Sequence, residues 1–301
     1  MAPTPGTKQS GPPGQATSVA LVANADSRAC DPRACAQQLE RFGARVESFG
    51  IDEIERAAAA GADRLVVAGG DGSIAPAAAA AGRAGIPLAL IPAGTANDFA
   101  VRMELPQELA AACRLAVGGR RVASMELGWL EGADGNGRRP FVNVASVGLP
   151  GRAAHTAKAW KRPLGTLGYA AGAAVAGVTA KPLAAKLDCG GETLFDGSAW
   201  QVTVAASGAF GAGAQVEEAD PHDGALDVVV IEAGSRLGLV ALGYRLRTGG
   251  LTGHRAARHA RCTEAELGVA PGTVFNVDGE IVPLGPARLS GERDAFALVV
   301  G

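Results

Sequence analysis

The sequence is poor in aromatic residues, which make up 4% of its 301 residues. Proteins that hold single-stranded nucleic acid use aromatic side chains as stacking platforms, so this shortage argues against such a function. The chain is also not basic: it has 28 Lys and Arg and 30 Asp and Glu, which gives a net charge of −2. We therefore expect no nucleic-acid partner.

The cysteines form no C-x-x-C pair, and their number, five, is odd. This pattern predicts neither a disulfide framework nor a zinc ribbon, and it favours reduced thiols in a cytoplasmic protein. Among the four histidines, His254 and His259 lack the i,i+4 spacing of a helical zinc pair. We expect no metal role for them.

A hydrophobic leader and a membrane-spanning run are also missing. Residues 1–17 are rich in Pro, Gly and polar residues, which predicts a disordered tail rather than a signal peptide. No stretch reaches the roughly 18 uninterrupted apolar residues of a membrane span. The nearest, 164–180, predicts a buried amphipathic helix; its basic neighbours Lys158, Lys161 and Arg162 leave contact with a membrane surface as the alternative.

What is present is a globular composition, with 48% hydrophobic residues, 19% charged residues and 43 glycines. From residue 18 onward, short apolar runs alternate with helical segments, the first of which starts at Asp31-Pro32. The predicted strands are 18–23, 44–49, 64–68 and 87–91, and the predicted helices include 52–60 and 74–83. This alternation is typical of a parallel sheet, whose ligands bind beyond the carboxyl ends of the strands.

After about residue 125 the pattern changes to mainly consecutive strands with Gly-rich hairpin turns, interrupted by a helix-like stretch at 152–179. Consecutive strands predict an antiparallel, β-rich second domain. The expected divisions are a tail at 1–17, an α/β domain at 18–125, a β-rich domain at 126–290, and a terminal strand at 291–301 that could pair with either domain.

The segment GGDGS at 69–73 follows a predicted strand and opens a helix. Its glycines let backbone N–H groups approach a phosphate at the helix N-terminus. Asp71 is an oxygen ligand suited to Mg²⁺ on the phosphates, and Ser73 supplies a hydroxyl to phosphate or backbone. Taken alone, the segment is equally compatible with an ordinary tight turn.

A second loop, PAGTANDFA at 92–100, follows the next predicted strand. Gly94 and Thr95 offer backbone and hydroxyl contacts, and Asn97 and Asp98 offer polar groups where a helix begins; helix capping by this pair would be compatible with a function. Two such loops can bracket a nucleotide. The sequence lacks a Walker loop, the protein-kinase motifs, G-x-G-x-x-G and G-x-S-x-G, which excludes those schemes.

The two loops, together with FNVDGE near the C-terminus, resemble the diacylglycerol kinase catalytic-domain family, and most of all its small soluble bacterial lipid kinases. The stretch DGALDV at 223–228 is similar to the family's D-G-x-L-D-V, and the resemblance covers 19–300. It implies an α/β N-terminal domain of the NAD kinase and diacylglycerol kinase type, a β-sandwich-like C-terminal domain, and a site in the cleft. It also implies ATP- and Mg²⁺-dependent phosphorylation of diacylglycerol or a related lipid, in phospholipid biosynthesis.

Site residues follow from the same resemblance. The nucleotide-binding residues would be Asn24, Ala68, Gly69, Gly70, Asp71, Gly72, Ser73, Ile74, Gly94, Thr95, Asn97 and Asp98. Glu280 would accept the proton of the lipid hydroxyl, with Asp278 beside it in a D-G-E turn that presents two carboxylates. The metal-binding residues would be Asp71 and, for a second and structural Mg²⁺, the Asp223 side chain with main-chain oxygens of Asp220 and Ala225.

The chain departs from the family pattern at four places: Ser73 replaces Thr, Phe49-Gly50 lacks a hydroxyl, and Ser207 and Glu217 replace Asn and Pro. A lipid acceptor implies contact with a membrane surface, for which Trp160 and its basic neighbours are the predicted docking residues. The sequence does not set the oligomeric state. Two alternative functions stay open: an NAD kinase-like enzyme, and a catalytically inactive nucleotide- or lipid-binding protein.

Overall fold

The computed structural model describes residues 17–23, 31–133, 135, 137–149, 181–208, 219–235 and 256–301. The predicted helix-like stretch at 152–179, the docking residues around Trp160, Glu217, and all but the last residue of the predicted tail lie outside the described residues. Among the described helices, none has the length and apolar character needed to cross a bilayer.

The chain forms two compact units, the first made of residues 1–125 and 294–301. Its strands are β1 (Ser18–Ala23), β2 (Arg45–Gly50), β3 (Arg64–Gly69) and β4 (Leu88–Pro92). Its helices are α1 (Pro32–Arg41), α2 (Ile54–Ala58), α3 (Asp71–Ala84), α4 (Asp98–Arg102) and α5 (Leu109–Gly118), and a 3-10 turn (Ile51–Glu53) precedes α2.

The four strands pair in parallel in the order β4-β3-β1-β2. Apolar runs such as that of β3, buried along nearly its whole length, are what a parallel sheet covered on both faces requires. Asp31 caps α1 by accepting a hydrogen bond from the backbone N–H of Arg33, and Pro32 occupies the first turn, as the sequence predicts. The carboxyl ends of β3 and β4 therefore lie side by side and present the two glycine-containing loops together.

The second unit comprises residues 126–293. Its described strands are β5 (Arg121–Gly132), β6 (Arg139–Phe141), β7 (Val144–Gly148), β8 (Leu183–Cys189), β9 (Glu192–Ala205), β10 (Leu226–Glu232), β11 (Ala257–Cys262), β12 (Glu264–Gly268), β13 (Val274–Val277), β14 (Glu280–Pro283) and β15 (Ala287–Val300). The first residues of β5 and the last residues of β15 belong to the first unit.

Antiparallel pairs dominate this second unit: β8 with β9, β9 with β10, β10 with β11, β7 with β13, and β13 with β14. Buried residues of these strands and of β6 fill a core that includes Phe141, Phe195 and Phe275. The strand β15 pairs with β12, and its Leu298 pairs in parallel with Leu88 of β4. The predicted fold class, an α/β unit followed by a β-rich unit, is confirmed.

The cysteines correct one expectation. Cys189 and Cys262 form a disulfide between the last residues of β8 and β11, and Cys35 is also disulfide-bonded. Reduced thiols were therefore the wrong prediction for these three residues. Cys189 and Cys262, 73 residues apart in sequence, meet because β12, which starts two residues after Cys262, pairs with β8. Cys113 is a buried free thiol, and burial raises its pKa to about 11. Disulfides are not typical of cytoplasmic proteins, so the cysteines no longer favour a cytoplasmic location, which stays a prediction.

Replacing Cys189 and Cys262 together with serine is expected to lower the free energy of unfolding by about 2–4 kcal/mol, because the bond closes a loop of 73 residues in the unfolded chain. Urea denaturation of the wild type and the double variant, both without reductant, measures the difference. If dithiothreitol leaves the wild-type unfolding midpoint unchanged, the disulfide contributes no stability and this expectation fails.

One helix-to-strand contact in the first unit depends on a glycine. A Cβ atom at Gly82 of α3 would overlap the Ala295 carbonyl oxygen of β15. By contrast, nothing lies within 4 Å of the place where a Cβ would stand at Gly118, the last residue of α5. Gly82 therefore allows α3 to pack directly on the β15 backbone.

Gly82→Ala is expected to destabilise the protein by roughly 1–3 kcal/mol, because α3 must move away from β15. The matched change Gly118→Ala is expected to leave stability unchanged or raise it by up to about 1 kcal/mol, since alanine restricts the unfolded chain and meets no neighbour. Thermal unfolding of both variants gives the comparison. Equal effects from the two substitutions would contradict the packing explanation.

Candidate active site

The first predicted phosphate loop is the N-terminus of α3. The helix starts at Asp71, three residues earlier than the sequence predicts, with Gly70 as its N-cap in extended conformation. Ser73 closes this turn, because its backbone N–H and its hydroxyl both donate to the Gly70 carbonyl oxygen, at 3.0 and 2.7 Å. The first N–H groups of this 14-residue helix have no partner within the helix, and they lie at the positive end of its dipole. They are therefore suited to bind a phosphate.

The second loop touches the first through two glycines. A Cβ atom at Gly94 would stand 2.6 Å from Gly70 Cα, closer than real Cβ contacts allow. Asn97, in left-handed conformation at φ 53°, shapes the loop by accepting a hydrogen bond of 2.8 Å from the backbone N–H of Gly94. The structure therefore brings the two predicted loops into direct contact.

Asp71 links the two loops through its carboxylate. One oxygen accepts a hydrogen bond of 3.2 Å from the backbone N–H of Asp98, and the other accepts one of 3.0 Å from that of Phe99. Sequence reasoning missed this capping of α4, because the contact spans 27 residues. These two backbone N–H donors carry no net charge, and each oxygen of the Asp71 carboxylate keeps a second lone pair. Asp71 can therefore bind a Mg²⁺ ion in addition to the two N–H groups.

The remaining predicted nucleotide residues divide by exposure. The side chains of Ala68 and Ile74 are buried in the first unit, so they can meet a ligand through their backbone alone. Thr95 is exposed, and its hydroxyl has no hydrogen-bond partner among the described residues. Asn24 lies outside the described residues.

The position without a hydroxyl, Phe49-Gly50, serves a structural purpose. Phe49 is buried, with the Arg56 guanidinium 5.2 Å from the centre of its ring. The Gly50 backbone N–H donates to the Glu53 carboxylate at 2.8 Å and so starts the 3-10 turn. Nothing in this arrangement replaces the missing hydroxyl.

The D-G-E turn separates its two carboxylates. Asp278 is buried, and its oxygens accept hydrogen bonds from the backbone N–H groups of Val142, Asn143 and Val144 at 2.7, 3.0 and 2.9 Å. The prediction that the turn presents two carboxylates is wrong for Asp278, because these three donors hold it inside the second unit. It acts as a positioning residue for the loop before β7.

Glu280, the first residue of β14, is exposed. Asp278 and Gly279 form a two-residue hairpin turn with φ angles of 46° and 91°, which fixes the register in which Glu280 faces Val277. Among the described residues, no hydrogen bond or ion pair engages the Glu280 carboxylate. It is therefore available as a proton acceptor.

Asp278→Asn is expected to lower the free energy of unfolding by roughly 2–3 kcal/mol, because a neutral amide replaces a charged acceptor of three N–H groups. The turn itself should persist, since Asn-Gly also favours this conformation. Denaturant unfolding checks the value, with Glu280→Gln as the control that leaves stability unchanged. A stable Asp278→Asn protein would return Asp278 to the list of candidate catalytic groups.

Ser207, a departure from the family pattern, belongs to the same loop. Its hydroxyl donates a hydrogen bond of 2.7 Å to the Asn143 side-chain oxygen, and its backbone N–H donates to the Val142 carbonyl oxygen. Ser207 is fully buried. It therefore helps to hold the same loop that Asp278 holds.

The predicted second metal site lies in an acidic cluster of the second unit, which we define as Glu126, Asp220, Asp223 and Asp227. Sequence reasoning missed Glu126, whose side chain is buried in β5. Burial, and after it the three neighbouring aspartates, raise its pKa to about 8. Its Oε2 accepts a hydrogen bond of 2.6 Å from the Gly224 backbone N–H, whereas its buried Oε1 has no hydrogen-bond partner among the described residues.

The donor set fits Mg²⁺ less well here than at Asp71. The Asp223 carboxylate is ion-paired with Arg261, so a divalent cation would have to displace or oppose a positive charge. Among the described residues, no group of three or more His, Cys, Asp and Glu is arranged to hold a metal ion. The metal roles of Asp220, Asp223 and Ala225 stay predictions.

Comparisons with known sequences define the class of protein. The family model described as the diacylglycerol kinase catalytic domain matches residues 30–128. The one described as the YegS C-terminal NAD kinase beta sandwich-like domain matches residues 143–300. The chain belongs to the diacylglycerol kinase catalytic-domain family.

Individual relatives agree. A "Probable lipid kinase YegS-like" protein of Pseudomonas fluorescens is 32% identical over 238 residues, covering 75% of this chain and 74% of that protein. One from Klebsiella pneumoniae is 35% identical over 119 residues, and this match spans 38% of each chain. The crystal structure of a putative diacylglycerol kinase from Bacillus anthracis superposes with a TM-score of 0.73 over 95% of this chain and 97% of that one; at 19% identity it supports the fold alone.

Proposed function

We propose that this protein is a lipid kinase, which transfers the terminal phosphoryl group of ATP to the hydroxyl of diacylglycerol or a related lipid alcohol. The observation that carries the proposal is the link that Asp71 makes between the two glycine-containing loops at the N-terminus of α3. Family membership and the names of the curated relatives support a lipid as the acceptor.

On the nucleotide side, the first N–H groups of α3 bind the phosphates, and the contact of Gly70 with Gly94 keeps this backbone accessible. Asp71 and the exposed Thr95 would orient the nucleotide from the two loops. Mg²⁺ bound with ATP would neutralise the phosphate charge, and Asp71 would hold it. Phosphoryl transfer depends mainly on such positioning and charge stabilisation.

On the acceptor side, Glu280 takes the proton. The lipid hydroxyl oxygen forms a bond to the γ-phosphorus, the bond from that phosphorus to the β–γ bridging oxygen breaks, and ADP leaves with that bond's electron pair. The hydroxyl proton passes to the Glu280 carboxylate, which no neighbour among the described residues engages. Asp278 holds the turn from which Glu280 projects.

The test is incubation of the purified full-length chain with labelled ATP and Mg²⁺ in separate reactions. The acceptors are diacylglycerol in anionic vesicles, a panel of other lipid alcohols, and NAD. Label in a lipid product is the expected result. Label in NAD alone would favour the NAD kinase-like alternative, and nucleotide binding without transfer to any acceptor would favour an inactive binding protein.

We propose further that the protein meets its acceptor at a bilayer surface as a peripheral protein. The basic residues around Trp160 support this by their charge, at about 1 kcal/mol for each basic residue near an anionic surface. Sedimentation with anionic vesicles should then decrease as salt is added. Equal sedimentation with neutral and anionic vesicles at every salt concentration would contradict it.

A further inference from the structure

The acidic cluster is assembled around a buried side chain. The Glu126 backbone N–H donates to the Pro221 carbonyl oxygen at 2.9 Å, and the Gly224 backbone N–H returns a hydrogen bond to Glu126 Oε2. These two contacts wrap the loop before β10 around β5. As a result, the carboxylates of this loop accumulate beside a glutamate that is 3% exposed.

Both oxygens of Asp223 are engaged. Oδ1 accepts a hydrogen bond of 2.8 Å from the Ala225 backbone N–H, and Oδ2 is paired with the Arg261 guanidinium. Asp220 is held locally, since its Oδ1 accepts from the His222 backbone N–H at 3.1 Å. The carboxylate that would bind a second Mg²⁺ therefore already carries a cation.

Arg261 also reaches a second member of the cluster. It lies directly opposite Asp227 in the β10–β11 pair, and its Nε is 3.4 Å from Asp227 Oδ2, without hydrogen-bond geometry. Asp227 is fully buried, and its other oxygen lies 2.7 Å from His259 Nε2. An arginine guanidinium stays charged at every physiological pH, so Arg261 brings a permanent positive charge to both aspartates. A planar guanidinium suits two carboxylates at once.

We propose that Arg261 is the resident cation of the acidic cluster and takes the place at Asp223 that the resemblance gives to a second Mg²⁺. The second unit is then stable without a divalent metal, because the neutralising charge is part of the chain. This inference goes beyond the proposed function and does not depend on it, since neither ATP nor a lipid is involved. It applies to the ion at Asp223 and leaves the Mg²⁺ that accompanies ATP unaffected.

The test compares the wild type with Arg261→Gln and Arg258→Gln, each as the full chain in EDTA and in millimolar Mg²⁺, without nucleotide. Arg258 is a matched control, because it lies on the same strand and forms an ion pair with Glu232 outside the cluster. We expect the wild-type Tm to change by less than about 1 °C between the two conditions. Arg261→Gln should lose about 3 °C or more in EDTA and recover most of it in Mg²⁺, whereas Arg258→Gln should not respond to Mg²⁺.

Adding Asp223→Asn to Arg261→Gln should abolish the Mg²⁺ response, which would locate the ion at Asp223. The proposal is overturned if Mg²⁺ stabilises the wild type as much as Arg261→Gln, or if Arg261→Gln does not respond. Should Arg261→Gln fail to fold, calorimetric titration of the wild type with Mg²⁺ alone decides. Heat of binding that disappears in Asp223→Asn contradicts the proposal, and its absence in the wild type supports it. Failure of the lipid kinase assay would change none of these results.

Discussion

Asp71→Ala is expected to abolish phosphoryl transfer, with a loss of at least about 10³-fold in kcat/KM. The Asp71 carboxylate is the one side chain among the described residues that joins both glycine-containing loops, through the backbone N–H groups of Asp98 and Phe99. In the proposed function it also holds the Mg²⁺ on the ATP phosphates. Losing a preorganised charge of this kind removes several kcal/mol of transition-state stabilisation.

Two variants separate the charge from the helix cap. Asp71→Asn keeps an oxygen that can accept an N–H but has no charge, so it should remain folded and still lose turnover. Glu108 is a matched capping residue, because its two carboxylate oxygens accept from Ala110 and Ala111 at the start of α5. Glu108→Ala should lower stability, because α5 loses its cap, and leave kcat unchanged. Activity of Asp71→Ala within a few-fold of wild type would refute the assignment, as would an equal loss in Glu108→Ala.

The first unit could be predicted from sequence because its signals are local. Alternating apolar runs set the strands, and Asp31-Pro32 marked the start of α1, where the structure has it. The predicted start of α3 was wrong, because the helix begins at Asp71 rather than Ile74. Glycine predicts a loop by intrinsic preference, but here the GGDGS backbone enters the helix, because Gly70 acts as the N-cap and Ser73 closes the first turn.

Less of the second unit could be predicted from sequence, because the contacts that define it join residues that are distant in sequence. Cys189 and Cys262 are brought together by strand pairing, and no spacing rule predicts the bond. The same holds for Asp278, whose backbone N–H partners lie about 135 residues earlier and bury a carboxylate that the sequence places in an exposed turn. No sequence motif includes Arg261 or Glu126. The burial of Glu126 and the ion pair of Arg261 with Asp223 can be recognised only in the folded structure.

Glu280→Gln is expected to lower kcat by about 10²- to 10⁴-fold with ATP affinity nearly unchanged. The acceptor hydroxyl has a high pKa, so transfer is faster when a carboxylate takes the proton as the bond to phosphorus forms. The amide of glutamine has the same shape and still accepts a hydrogen bond, but it cannot act as a base at neutral pH. The nucleotide residues belong to the other unit, so nucleotide binding should not change.

Glu192 provides a close control for this substitution. It too is exposed and is the first residue of a strand after a two-residue hairpin turn, Gly190–Gly191, with φ angles of 62° and 87°. It faces Cys189 across its turn as Glu280 faces Val277. Glu192→Gln should therefore reproduce any general effect of neutralising a turn carboxylate, and should leave kcat at the wild-type value.

Steady-state kinetics with varied lipid, together with an ATP titration, distinguishes the outcomes for Glu280→Gln. A normal kcat with weakened ATP binding would make Glu280 a nucleotide or metal residue instead of a base. A normal result for both would move the proton acceptor away from this turn, because the Asp278 carboxylate is buried and already accepts three N–H groups. A loss of kcat that Glu280→Asp partly restores, with Glu192→Gln unaffected, is the result that general-base catalysis by Glu280 requires.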